Sequence, residues 1–180
     1  MRLEKDEKER CVMEMIRLNR ELYEEAPEKY LDDVTKLERD AFSPAEACPR
    51  ERFAARLSVW PEGFWLLYDG DRLVSMVDGF MTDTPDLSDE MFADAGLHNP
   101  RGRWQMIFGV CTHPEYRYRG YAGQLMRQML EDAKADGRKG VVLTCREAKL
   151  HYYARFGFHT DSVSSSKHGG GMWYQMRLRF

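Results

Sequence analysis

Apolar residues recur along this chain with two different periods, and the change from one to the other divides it into elements. In residues 5–25, Val12, Met15, Ile16, Leu22 and Tyr23 fall at helix-face spacing among mixed charges, which predicts a leading helix. Pro27 interrupts it, and residues 28–42 carry a second amphipathic pattern through Tyr30, Val34, Leu37 and Phe42. A third helix is expected over residues 49–59, ended by Trp60, Pro61, Glu62 and Gly63. From there the pattern shortens. Residues 64–68 and 73–81 are apolar runs around Asp69-Gly70-Asp71, a hairpin signal. Residues 82–99 are acidic and turn-rich, with room for a short helix over 88–95. An apolar run over 106–110, a helix over 123–135 and a buried strand over 140–145 follow. Residues 158–165 and 172–180 read as closing strands joined by a flexible tip at 167–171. This order fits a mixed α/β sheet.

With 43% hydrophobic and 32% charged residues, the 180-residue chain supports one domain over residues 1–180, residues 1–27 forming a helical extension. Amphipathicity favours a core-packing face for that helix over a free appendage or a homodimer contact. A net charge of −3 gives no reason to expect a nucleic-acid partner. The basic residues that cluster between Arg101 and Arg119 suit a phosphate-bearing ligand equally well. Cysteines 11, 48, 111 and 145 have neither close pairing nor metal-ligand spacing, so no metal is expected and reduced thiols in the cytoplasm are the default. The N-terminus is too charged for a signal peptide, and no apolar run reaches the length of a membrane span.

The candidate chemistry centres on the stretch that leaves the 106–110 run. A polar turn with Pro114 leads into a basic loop, Arg117, Tyr118, Arg119, Gly120, Tyr121, Ala122 and Gly123, that opens directly into a helix. A helix start has unpaired N–H groups and a partial positive charge, and Gly120 lets an anion approach the backbone while Arg117 and Arg119 add charge. The pattern reads either as an anion cradle or as a helix start with solvated arginines. It is neither the Gly-Lys-Ser/Thr loop of nucleotide hydrolases nor the dinucleotide Gly-x-Gly-x-x-Gly.

Arg117-x-x-Gly120-x-Ala122 resembles the Gln/Arg-x-x-Gly-x-Gly/Ala motif of the GNAT acetyltransferase superfamily. Downstream, Tyr153-Ala154-Arg155-Phe156-Gly157-Phe158 is similar to that superfamily's second signature, ending in Tyr-x-x-x-Gly-Phe. The resemblance spans residues 35–180 and implies a mostly antiparallel sheet flanked by helices, with splayed central strands. It also implies acetyl-CoA as cosubstrate, pyrophosphate on the N–H groups from Tyr118 to Gly123 with Arg117 assisting, and a pantetheine arm along the backbone of Val110, Cys111 and Thr112. Val110 N–H would then serve the oxyanion. Residues 37–42 leading to Ala47-Cys48-Pro49 are similar to the substrate-covering loop of the arylalkylamine N-acetyltransferase branch, which suits a lid over a small amine.

Direct attack of a primary amine on acetyl-CoA in a ternary complex is the simplest reaction these likenesses imply. The resemblance implies Tyr153 as the general acid, because it holds the tyrosine position of the second signature, and an ordinary phenol with a pKa of about 10 is protonated at neutral pH; Tyr152 is expected to point elsewhere. The base is open: the histidine positions of the serotonin-type enzymes hold Met106 and Phe108 here. Asp83, expected near the amine at the end of the third strand, is the favoured carboxylate. Glu147 is a second candidate, and His113 reads as a turn residue. Cys111 and Cys145 read as core. Methionines 76, 81, 91, 106 and 172 are candidates for an adaptable pocket lining. Two alternatives remain: N-terminal acetylation of peptides or proteins, and a non-catalytic acyl-CoA sensor.

Overall fold

The computed structural model describes residues 13–166 and 171–180. In chain order they form β1 (Met13–Arg17), α1 (Arg20–Glu25), α2 (Pro27–Ala41), α3 (Arg50–Val59), β2 (Phe64–Asp69), β3 (Arg72–Thr82) and α4 (Asp89–Ala93). Then come β4 (Trp104–Thr112), α5 (Tyr121–Ala135), β5 (Gly140–Cys145), α6 (Leu150–Ala154), β6 (His159–Val163) and β7 (Tyr174–Arg179). The strands make one sheet in the order β1-β2-β3-β4-β5-β7-β6. Every pairing is antiparallel except β4 with β5. This is the expected mixed, mostly antiparallel sheet flanked by helices.

Side chains alternate across a strand, so β2 divides its apolar run between two cores. Trp65 and Leu67 join Val77 and Ile107 under Leu125, Met126 and Met129 of α5. Phe64 and Leu66 face the other way, onto Leu31, Val34 and Leu37 of α2 and Phe53 and Leu57 of α3. The sheet is therefore covered on both faces, which explains why its middle strands read as continuous hydrophobic runs.

The parallel pair is short. β4 and β5 pair only from Trp104↔Gly140 to Met106↔Val142, and beyond Met106 the two strands part. β4 also carries a bulge: Asp78 lies opposite Gly109 and Gly79 opposite Ile107, leaving Phe108 as the extra residue. Both features fall at the middle of the sheet, and together they open the cleft described below.

The N-terminus departs from the expected leading helix. Residues 5–12 lie outside the described residues, and Met13–Arg17 is a strand on the edge of the sheet, paired with β2. Asn19 explains the boundary: its side chain accepts the Leu22 N–H at 2.8 Å, so a helix begins there and cannot run through it. The spacing of Val12, Met15 and Ile16 fits a helix face, but pairing with β2 prevails over that local pattern. The tip expected at 167–171 also falls mostly outside the described residues.

Met129 is fully buried between α5 and the sheet. Met129→Ala is expected to lower unfolding free energy by about 2–5 kcal/mol in urea titrations; a loss below about 1 kcal/mol would contradict the packing of α5 described above.

Candidate functional site

The parting of β4 from β5 leaves one edge of β4 without a partner strand. His113 N–H donates to Val74 O at 2.8 Å, which fixes the phase of the ladder. Backbone groups alternate sides along a strand, so those of Cys111 and His113 face β3 while those of Val110 and Thr112 face the cleft. Two side-chain bonds agree: Ser75 Oγ donates to Cys111 O at 2.8 Å, and Arg117 Nε donates to Thr112 O from the cleft side at 3.3 Å.

The cleft continues into the basic loop as a cavity of about 720 Å³. Val110, Cys111, Thr112, Arg117, Tyr118, Gly120, Tyr121, Ala122 and Gly123 all line it, as do Arg127, Lys149 and Arg155. Tyr118 (φ 64°) and Gly120 (φ 82°) are both left-handed, which turns successive N–H groups toward a common concavity. At Gly120 an added Cβ would meet nothing, so glycine is there for its backbone angle. The first helical bond of α5 is Gln124 N–H to Gly120 O, leaving the N–H groups of Tyr121, Ala122 and Gly123 without helical acceptors. An anion fits this cradle. Arg117 also donates to Ala41 O at 2.8 Å, tying the end of β4 to the end of α2. Arg119 is not brought to the cavity: it donates to Glu115 O at 3.0 Å and stacks over Tyr116.

A second cavity, about 270 Å³, adjoins the first. Val110, Tyr153, Phe42 and Lys149 line both, so the two meet where Tyr153 faces the free edge of β4. The loop after α2 roofs the smaller chamber through Phe42, Glu46, Ala47 and Cys48, and Phe92 and Phe108 wall it. Tyr153 is edge-on to Phe158, and burial pushes its phenol above the ordinary pKa of 10.0. Tyr152 does not point elsewhere; it lines the larger cavity, edge-on to Tyr153, but not the smaller one.

Three charged groups sit in the smaller chamber almost wholly buried: Glu38 at 6% exposure, Asp78 at 1% and Arg56 at 7%. Arg56 Nη1 donates to Asp78 Oδ2 at 2.8 Å, its Nη2 donates to Phe92 O at 2.9 Å, and the guanidinium lies 4.5 Å from the centre of the Phe108 ring. Gly109 permits this approach, since a Cβ there would stand 2.5 Å from Asp78 Oδ1. Desolvation raises the Asp78 pKa against the opposing pull of Arg56. Glu38 is engaged on one side only: Oε1 accepts the Cys48 N–H at 3.0 Å, while buried Oε2 has no hydrogen-bond partner among the described residues. Desolvation, helped by the nearby Asp78 charge, lifts its pKa from 4.5 to about 7.

None of these three was singled out from the sequence as a site residue, although a signal existed. Glu38 stands four residues after Val34 on the apolar stripe of α2, and Asp78 interrupts the apolar run of β3. The other carboxylates lie elsewhere. Asp83 follows the end of β3 that pairs with the start of β4, the opposite end from Val110; it is half exposed and bonded to Arg103 and Asn99. Glu147 is exposed on a 3-10 turn and lines neither cavity. His113 caps the 3-10 turn Pro114–Tyr116, accepting the Glu115 N–H. Cys111 and Cys145 are buried and their thiols are pushed up by desolvation, Cys145 to about 11, which keeps them protonated. Methionines 76, 81, 91 and 106 belong to the core and Met172 is exposed; none lines either chamber.

No helix among the described residues is long and apolar enough to cross a membrane. Serotonin N-acetyltransferase of Mesocricetus auratus is 29% identical over 129 residues, a match covering 69% of this chain and 61% of that enzyme. The chain thus spans less than two thirds of that relative's length. The loading GNATL domain of CurA from Lyngbya majuscula superposes with a TM-score of 0.77 at 16% identity, covering 93% of this chain and 98% of that one. A GphF GNAT-like decarboxylase in complex with isobutyryl-CoA gives 0.74 at 18% identity, covering 93% and 98%. At such identities the solved structures speak to the fold alone. The acetyltransferase (GNAT) family matches residues 31–158, which include the parted strands, the cradle and Tyr153, and the chain belongs to that family.

Proposed function

We propose that the protein transfers an acetyl group from acetyl-CoA to a small primary amine by direct attack in a ternary complex. The observation that carries this is the junction of the two chambers, where Tyr153 and Val110 border both. The larger chamber has the shape and charge for acetyl-CoA, its pyrophosphate on the 118–123 cradle beside Arg117 and its arm along Val110 and Thr112. The smaller chamber, roofed by the loop after α2, suits a small acceptor better than a peptide, which would need an open groove. A relative named for N-acetylation of serotonin agrees with this choice.

Three demands of acyl transfer match three groups. An amine arrives as ammonium and must lose a proton. Glu38, with a pKa near neutrality, is poised to accept it in a way that an ordinary carboxylate near 4.5 is not. The neutral nitrogen then attacks the thioester carbonyl, and the N–H of Val110, aimed into the cleft, stabilises the oxyanion. As the new C–N bond forms and the C–S bond breaks, Tyr153 gives its phenolic proton to the leaving sulfur. The proton shed by the amide nitrogen restores the phenol. Burial holds that phenol protonated across the working range, so it is always available as donor. Arg56 and Asp78 act as a fixed pair whose guanidinium packs against the Phe108 ring in the wall of the smaller chamber.

Glu38 replaces Asp83 as the base because it lies in the acceptor chamber and Asp83 does not. Its role requires the deprotonated form, so kcat/KM is expected to rise with pH through about 7, set by Glu38. Glu38→Gln should remove that limb and lower kcat by about 10²–10⁴-fold. A limb that survives the substitution would assign the base elsewhere. Tyr153→Phe should depress kcat well beyond Tyr152→Phe in a thiol-release assay, because only Tyr153 faces both chambers; equal rates would remove its assignment as acid.

A further inference from the structure

Charge in the acceptor chamber is sorted by depth. Its floor holds the carboxylates of Glu38 and Asp78, both buried, with Arg56 neutralising Asp78 from within. Its mouth carries cations. Arg52 on α3 is exposed there, and its charge is felt at Cys48 in the roof. Arg146, just past β5, lies 4.3 Å from the centre of the Trp173 ring, with Nη2 3.9 Å from Glu46 Oε1. Lys149 opens onto both chambers. Against these three cations the mouth sets one carboxylate among the described residues, Glu46.

A site built for a plain ammonium would not be ringed this way, since the ligand would meet like charge on entering. A ligand that carries a carboxylate close to its ammonium meets opposite charge at each. The walls between are aromatic, Phe42, Phe92, Phe108 and Trp173, and a chamber of about 270 Å³ is at the small end of ligand cavities. We infer that the acceptor is an amino-acid-like amine that also carries a carboxylate. The ammonium sits at Glu38, the carboxylate is received at the rim by Arg52 and Arg146, and an apolar side chain lies on the aromatic walls. Arginine suits the rim because its planar fork takes a carboxylate through two hydrogen bonds and still stacks on Trp173.

This inference rests on the proposed acetyl transfer for its chemistry, but its charge recognition can be read by binding alone. The test compares matched acceptors in thiol release with acetyl-CoA: phenylalanine against phenethylamine and phenylalaninamide, and tryptophan against tryptamine. The carboxylated member is expected to have kcat/KM about 10- to 100-fold higher, the worth of one or two charge-assisted hydrogen bonds. Arg52→Gln and Arg146→Gln should each shrink that ratio, mainly through KM for the carboxylated member. Decarboxylated amines acting equally well or better, or a preference that neither substitution changes, would overturn the inference. If no acceptor releases thiol, the transfer reading fails, and calorimetric titration of phenylalanine against phenethylamine into the CoA-saturated protein decides the rest. Tighter binding of phenylalanine that both substitutions weaken supports the rim; equal affinity, or a preference that neither substitution weakens, overturns it.

Discussion

The site exists because two parallel strands stop pairing. β4 and β5 share three registered positions and then part, which strips backbone partners from one edge of β4 along Val110 and Thr112. Unpaired N–H and C=O groups in the middle of a sheet cost free energy unless something else satisfies them. Here Arg117 satisfies Thr112 O in part, and the remaining edge is a template for an extended ligand. The bulge at Phe108 works with the parting, because the extra residue bends β4 and turns an aromatic ring into the smaller chamber.

The second constraint is charge held out of water. Removing two ions from water is costly, and the Arg56–Asp78 pair is compensated by close geometry, a backbone bond from Gly109 and a further bond to Phe92 O. Among the described residues Glu38 has only one such bond and no countercharge bonded to it, so it responds by binding a proton more tightly. The two carboxylates thus sit side by side with different partners: Asp78 is bonded to its arginine, which opposes the rise that burial imposes, and Glu38, without such a bond, is lifted to about 7. That division of roles follows from what each oxygen touches.

Much of the frame was legible in the sequence because it depends on local signals. β5 falls where its apolar run predicts, and the hairpin of β2 and β3 follows from Asp69-Gly70-Asp71 between apolar runs. The cradle was legible too, since it needs only a strand end, left-handed positions and a helix start, all within 15 residues of chain. β1 was hidden because an edge strand and a helix face can share the same spacing over a few residues, and the cap at Asn19 was the overlooked discriminator. The chemistry of Glu38 was hidden for a different reason. Its altered acidity comes from α2, β3 and the roof loop meeting, groups 10 and 40 positions away in Cys48 and Asp78, and no local pattern encodes that meeting. Arg119 and Asp83 show the converse: residue type and neighbourhood suited the roles, but each side chain is spent on a nearby structural bond.

The central claim, that the free edge of β4 and the loop after it together receive acetyl-CoA, can be tested residue by residue with amide hydrogen exchange. Saturating CoA is expected to slow exchange at Val110 and over residues 118–123 while leaving the paired edge at Cys111 and the far strands β1 and β6 unchanged. Unaltered exchange at Val110 and the loop, under conditions where calorimetry reports binding, would place the cofactor elsewhere and contradict the account.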